Sequence, residues 1–203
     1  MDKEKVFTFW HDRSKIPSYL QLCFESWKKY IKNHEIILVD YSNLSDYIDT
    51  NQVHIRTLID NKFRYQVMSD SIRVELLLNH GGTWMDLDTI ILSEEFEKDY
   101  LDKELTKEGT LFRYNGKGTS FAFLRFKRHS NVLSCIKSSQ INKIMNYKNK
   151  KIDWDYLCNS IMDPYVEKNK DSFQLMDITP CWAEVTLHKE ITKRFDSYRK
   201  LYF

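Results

Sequence analysis

The stretch SDSIRVELLLNHGGTWMDLDTIIL, Ser69 to Leu92, reads as core, yet Asp70, Arg73, Asp86 and Asp88 are set into its apolar run. Its periodicity predicts a helix from about Gln66 to His80. Gly81-Gly82 can take the left-handed conformation that ends a helix, and a strand, TWMDLDTIIL, is expected at once after it. On the helix, residues three apart share a face, so Asp70 and Arg73 point together. On the strand, residues two apart share a side, which groups Trp84, Asp86 and Asp88 against Met85, Leu87 and Thr89. Two carboxylates this close inside an apolar strand repel and lose hydration unless a cation or hydrogen-bond donors compensate. Oxygen-only ligation suits Mg²⁺ or Mn²⁺, which take one or two carboxylates and complete their shells with water and phosphate.

The flanking sequence sets this pattern in an α/β chain. KVFTFW is rich in strand formers, Pro17 stands where a first helical turn accepts proline, and Leu20, Cys23, Trp27 and Tyr30/Ile31 recur at helical spacing. EIILVD then reads as a parallel strand covered on both faces, so residues 5–40 form a βαβ unit with ligands expected at the strands' carboxyl ends. Residues 42–66 are a polar cap or connection with helical fragments. Downstream, Asn115-Gly116 marks a hairpin turn between two β-rich runs, and Ser130 caps the helix NVLSCIKSSQINKIM. Another helix is expected in WDYLCNSIMDPYVEK, a short strand in SFQLMDI, and a last helix in AEVTLHKEITKRF.

Composition bounds the class. The 203 residues contain no Pro- or Gly-rich linker, which fits one domain. With 42% hydrophobic residues but no eighteen-residue apolar run and no signal segment, a soluble, cytoplasmic protein is expected. The four cysteines, Cys23, Cys135, Cys158 and Cys181, form no C-x-x-C pair and read as reduced thiols, mostly in the core. Residues 1–103 carry 13 Lys/Arg against 18 Asp/Glu, and the remainder 18 against 11, an asymmetry expected of lysine-rich solvated helices or of attraction to an anionic partner. No basic-aromatic stripe argues for nucleic acid, and neither a Walker loop nor G-x-G-x-x-G is present.

SDSIRVELLLNHGGTWMDLD, together with FTFWH and IPSYLQLCFESWKKYIKNHEIILVD upstream, resembles the DXD-bearing sugar transferases related to the yeast mannosyltransferases, and especially the bacterial capsular polysaccharide synthesis proteins. The glucosylating clostridial toxins share the core motif. The resemblance covers residues 5–92 well and the rest poorly. It implies a single domain, 1–203, of the A-type glycosyltransferase fold: a Rossmann-like mixed sheet flanked by helices, with 5–92 binding the nucleotide sugar and 93–203 supplying the acceptor side. The implied activity is retaining transfer of a hexose from a nucleotide diphosphate sugar to a glycan or lipid-linked acceptor in surface polysaccharide synthesis. A protein partner or a peripheral site at the inner membrane face, which Lys143, Lys148, Lys150 and Lys151 could touch, would present that acceptor.

Carried over by position, the resemblance gives Asp88 the metal, Mn²⁺ or Mg²⁺, with Asp86 on the sugar, the ribose or the metal shell. Asp70 and Arg73 grip the donor, Arg73 and Asp86 are the catalytic pair, and Trp10 stacks the nucleobase. Gly82 belongs to the donor site; Trp182 and His188 are the late aromatic and late metal ligand. Plainer readings stand beside these: a surface i,i+3 ion pair for Asp70 and Arg73, core packing for Trp10 and Trp84, backbone geometry for Gly81 and Gly82, turn capping for Asp40, and a solvated helix position for His188. Two other functions remain open. DLDTI resembles the D-x-D-x-T motif of haloacid-dehalogenase-like phosphatases, with Thr89 one position early, and a non-catalytic nucleotide-sugar-binding module would keep the donor site alone.

Overall fold

The computed structural model describes residues 3–114, 117–148 and 152–177. Six strands, β1 (Lys5–Phe9), β2 (Glu35–Val39), β3 (Gly82–Met85), β4 (Gly109–Tyr114), β5 (Lys117–Phe126) and β6 (Phe173–Asp177), form one sheet in the order β2-β1-β3-β5-β4-β6. β2 and β3 run parallel to β1, β5 is antiparallel to both β3 and β4, and β6 returns parallel to β4.

Both faces of the central strands are covered, which explains why β1 is buried at every residue from Val6 to Phe9 rather than on alternate ones. Side chains of a strand point alternately up and down, and the core divides accordingly. Phe7, Phe9, Trp84, Leu124 and Phe126 face α2 (Val53–Asp60), α3 (Tyr65–His80), α4 (Asn131–Met145) and α5 (Asn159–Lys168). Val6, Met85, Phe112 and Phe123 face the other way, onto Trp27 and Ile31 at the end of α1 (Ser18–Tyr30). α1 thus closes the expected βαβ unit, and Ser130 caps α4 through a bond from the Leu133 amide.

α3 is enclosed by the sheet, α2 and α4, so its buried positions run almost unbroken from Val67 to Leu77. It stops at Gly81, φ +69°, whose amide reaches Leu77 O at 2.8 Å. Gly82, φ +89°, then opens β3 so close to β1 that an added Cβ would lie 2.4 Å from Lys5 O.

Three expectations are corrected. The strand does not run through TWMDLDTIIL: its last ladder bond is from Asp86 N to Ala122 O, 2.8 Å, and a turn closed by Thr89 N to Asp86 O, 3.0 Å, follows. The ladder to β1 holds only Val6–Thr83 and Phe7–Trp84, and beyond Met85 the apolar residues divide, Leu87 and Ile91 being buried and Ile90 and Leu92 exposed. Residues 154–158 form turns rather than the start of a helix, which begins at Asn159. Of the three thiols among the described residues, Cys158 is buried, Cys23 half-buried and Cys135 exposed, so these three are not mostly core. The predicted helix AEVTLHKEITKRF and the Asn115-Gly116 turn lie outside the described residues.

Gly82→Ala adds both a disfavoured φ and a clash with backbone; the expected cost is at least about 2 kcal/mol, read as a lowered urea midpoint with an unchanged slope.

Candidate active site

A cavity of about 790 Å³ opens at the carboxyl ends of β1 and β3. α3 forms one wall with Ser69, Asp70 and Arg73, and the end of β3 contributes Trp84, Asp86, Leu87 and Asp88. Trp10 and His11 follow β1 on one side, whereas Thr119, Phe121, Trp154, Cys158 and Asn159 line the side under β5.

Arg73 is the centre. Its side chain is about 6% exposed, as is that of Asp70. A guanidinium has five N–H bonds, and five protein contacts meet them. Nε reaches Ser69 O at 3.4 Å. Nη1 donates to Phe121 O and lies 3.3 Å from Asp86 Oδ1. Nη2 lies 3.1 Å from Asp70 Oδ1 and 3.3 Å from Ser69 Oγ. The indole of Trp84 and the ring of Phe121 flank the cation at 4.7 and 5.2 Å. Asp70 and Arg73 do share a face, but they form a buried pair, so the surface ion-pair reading is set aside.

Asp86 is fixed from the same side. Trp84 Nε1 donates to Asp86 Oδ1 at 2.7 Å, as expected for residues two apart on one strand face. Asp88 does not lie on that face. The turn delivers it, exposed, to the cavity, while Leu87 between the two acids packs with Leu20 and Leu38. α1 holds the segment that follows: Trp27 Nε1 donates to Thr89 O at 2.6 Å, and Ser26 Oγ accepts from Ile91 N at 2.9 Å. Two carboxylates at one cavity are hard oxygen donors and fit Mg²⁺ or Mn²⁺ bound with substrate oxygens.

The remaining expected residues divide. Trp10 lines the cavity, half-buried against Leu20, Leu38 and Leu87, and its indole N–H is buried without a partner among the described residues. Gly82 is buried outside the cavity lining and serves the close approach to β1. Trp182 and His188 lie outside the described residues. Asp40 caps its turn, accepting from Ser42 N at 2.8 Å, with Arg13 3.2 Å away. The lysine Nζ of Lys143 is taken by Tyr156 O and Ser160 Oγ.

Sequence reasoning missed several lining groups. His11 and Tyr65 stack in parallel with centroids 3.9 Å apart, an aromatic plate beside Trp10. Arg64, exposed at the start of α3, is a second guanidinium at the cavity. Arg64-Tyr65 directly precedes the apolar run of α3, and a cation-aromatic pair at that helix start was the available signal. Thr119 and Asn159 carried no local signal, because only tertiary packing brings them here.

Burial pushes the Asp70 carboxyl up to about 7, against the pull of Arg73 and with some help from Asp86. Burial, and then Asp70 itself, pushes the Cys158 thiol up to about 12, so it is a hydrogen-bond donor to Asp70 and not a nucleophile. A carboxyl whose folded pKa is raised contributes stability below its ordinary pKa, and that contribution is lost as pH rises through the folded value. Carboxyl NMR should therefore place the Asp70 midpoint near 7, and Asp70→Asn should gain stability relative to wild type between pH 4 and 7. A midpoint near 4 would mean that Arg73 fully compensates the charge.

The phosphatase motif belongs at the end of a first core strand, whereas Asp86 and Asp88 follow β3, the third in chain order, so that reading is dropped. Among curated proteins, no sequence matches the chain. Among solved structures, it is similar to the PaToxG glycosyltransferase, with TM-score 0.57 and 14% identity over 82% of this chain and 69% of that one. A looser likeness, TM-score 0.43 and 11% identity over 87% of each chain, is to 4-diphosphocytidyl-2C-methyl-D-erythritol synthase from Anaerococcus prevotii and carries no argument. The first likeness is one of fold, and it makes the mixed sheet an A-type glycosyltransferase fold. Residues 1–200 match the model of the capsular polysaccharide synthesis proteins, and the chain belongs to that family.

Proposed function

We propose that the protein is a metal-dependent glycosyltransferase of surface polysaccharide synthesis, moving a hexose with retention from a nucleotide diphosphate sugar to a glycan or lipid-linked acceptor. The observation that carries this reading is the cavity itself, where Asp86 and Asp88 face the same space as Arg64 and the aromatic plate of His11 and Tyr65. Retention and the acceptor class rest on the family resemblance.

Asp86 and Asp88 would hold Mn²⁺ or Mg²⁺, which when bound neutralises the diphosphate as the glycosidic bond breaks. Arg73 meets five protein contacts, so its work is to fix Asp70 and Asp86 in place before substrate arrives. Arg64 is the guanidinium placed to meet an anionic group of the donor. The His11–Tyr65 plate and Trp10 offer flat surfaces for a base. Asp70, largely protonated below pH 7, can donate to or accept from a sugar hydroxyl beside it. Cytoplasmic location and contact with a membrane face belong to this proposal; among the described residues, no helix is long and apolar enough to cross a membrane.

Uridine and guanosine diphosphate hexoses, screened by thermal shift, should stabilise the protein only with Mn²⁺ present. Asp88→Asn should leave the unliganded Tm unchanged and lower donor turnover by about 100-fold or more. Arg64→Ala should weaken donor binding by about tenfold while leaving Asp70 and Asp86 in place. An active, correctly folded Asp88→Asn would overturn the metal site, and binding without turnover would favour a sugar-nucleotide-binding module.

A further inference from the structure

The cavity extends past Arg73 to an end that none of the donor-side groups occupies. The sheet order places β3 between β1 and β5, so His11 and Trp10 stand at one end, the Asp70–Arg73–Asp86 group in the middle, and Thr119, Asn159 and Trp154 beneath β5 at the other. Trp154 is 74% exposed, more than any other aromatic side chain among the described residues. An indole left in water at a cavity wall contributes little to the core, yet its position is not loose.

Four bonds hold the turn that carries it. Lys143 Nζ donates to Tyr156 O at 2.9 Å, and Tyr156 Oη returns a bond to Lys143 O at 2.7 Å. Gln140 Nε2 donates to Leu157 O at 2.7 Å, and Asn159 Nδ2 donates to Thr119 O. Asp163 ties the same corner from below, accepting from Thr119 N at 2.7 Å and lying 3.4 Å from Asn159 Nδ2. Thr119 and Asn159 line the cavity together with Trp154. The Thr119 hydroxyl is buried, lines the cavity and has no partner among the described residues.

A flat apolar plate on a rigid turn, rimmed by an amide and an unpartnered hydroxyl, complements one chemical class well. A pyranose ring offers a C–H face for the plate and equatorial hydroxyls for the rim, whereas a lipid chain would leave the hydroxyl unsatisfied. Because the turn is already ordered, little conformational freedom is lost on binding. Resting on the transferase reading, we infer that Trp154 is the acceptor platform, on which the terminal sugar ring of a glycan stacks with Thr119 and Asn159 at its edge.

Labelled protein, with Mn²⁺ and the nucleotide sugar that gives a thermal shift, is applied to an array of bacterial surface oligosaccharides. Wild type should bind a subset of spots, Trp154→Ala should lose at least tenfold in apparent affinity, and Trp154→Phe should keep most of it. All three should show the same donor-induced shift, and the exposed side chain should leave Tm unaltered on replacement. Binding by Trp154→Ala equal to wild type, or no array binding by wild type despite a donor shift, would overturn the platform alone. Absence of any donor shift in wild type would remove the transferase reading and the platform with it.

Discussion

Arg73 is a buried cation whose position everything at the cavity shares. Its guanidinium is held between Asp70 and Asp86 and between the faces of Trp84 and Phe121, so helix α3, strand β3 and strand β5 are joined through one side chain. Burying such a group is tolerable only because its N–H groups meet protein acceptors and its charge lies beside two carboxylates. Yet the partners outnumber it. Asp70, Asp86 and Asp88 bring three carboxylates to a cavity where Arg73 is the one buried cation among the lining residues, and burial, with a smaller push from Asp86, raises the pKa of Asp70 against the pull of Arg73.

The topology explains why these charges meet at this point. β1 and β3 are parallel neighbours, and both end before β5 does, so the carboxyl ends of the two central strands open a crevice roofed by α3. Gly82 permits the close start of β3, and α1 pins the segment after Asp88 by two hydrogen bonds. Asp88 thus reaches the cavity from a turn whose two flanks are anchored, one by a ladder bond and the other by Trp27.

Much of this was legible in the sequence, for local reasons. The helix ending at Gly81-Gly82, the βαβ unit and the Ser130 cap follow from spacing and backbone preference, which act over a few residues. Asp70 with Arg73, and Trp84 with Asp86, were placed together by the periods of helix and strand. Asp88 was grouped with them for the wrong reason. An apolar run cannot reveal whether its residues line a strand or plug a core, and here the ladder ends at Asp86 and a turn closed by Thr89 follows. The same limit hid Thr119, Asn159 and Trp154, which line one cavity with Arg73 across 46 to 86 positions of chain and share with it no local pattern. Burial itself was misjudged for Cys135, whose helix turns it outward.

That Arg73 spends its N–H bonds on protein rather than on ligand has a consequence for catalysis. A cation that must reorient to meet a leaving diphosphate loses part of its stabilisation to that reorganisation, whereas one locked during folding has its field in place beforehand. Trp84 and Phe121 flank its faces, so the cation is shielded from water on both sides. The exposed charges at the cavity are Asp88 on its turn and Arg64 at the head of α3. The buried Asp70–Arg73 pair thus lies at the centre and Asp86, partly exposed, beside it, while Asp88 and Arg64 stand exposed at the rim.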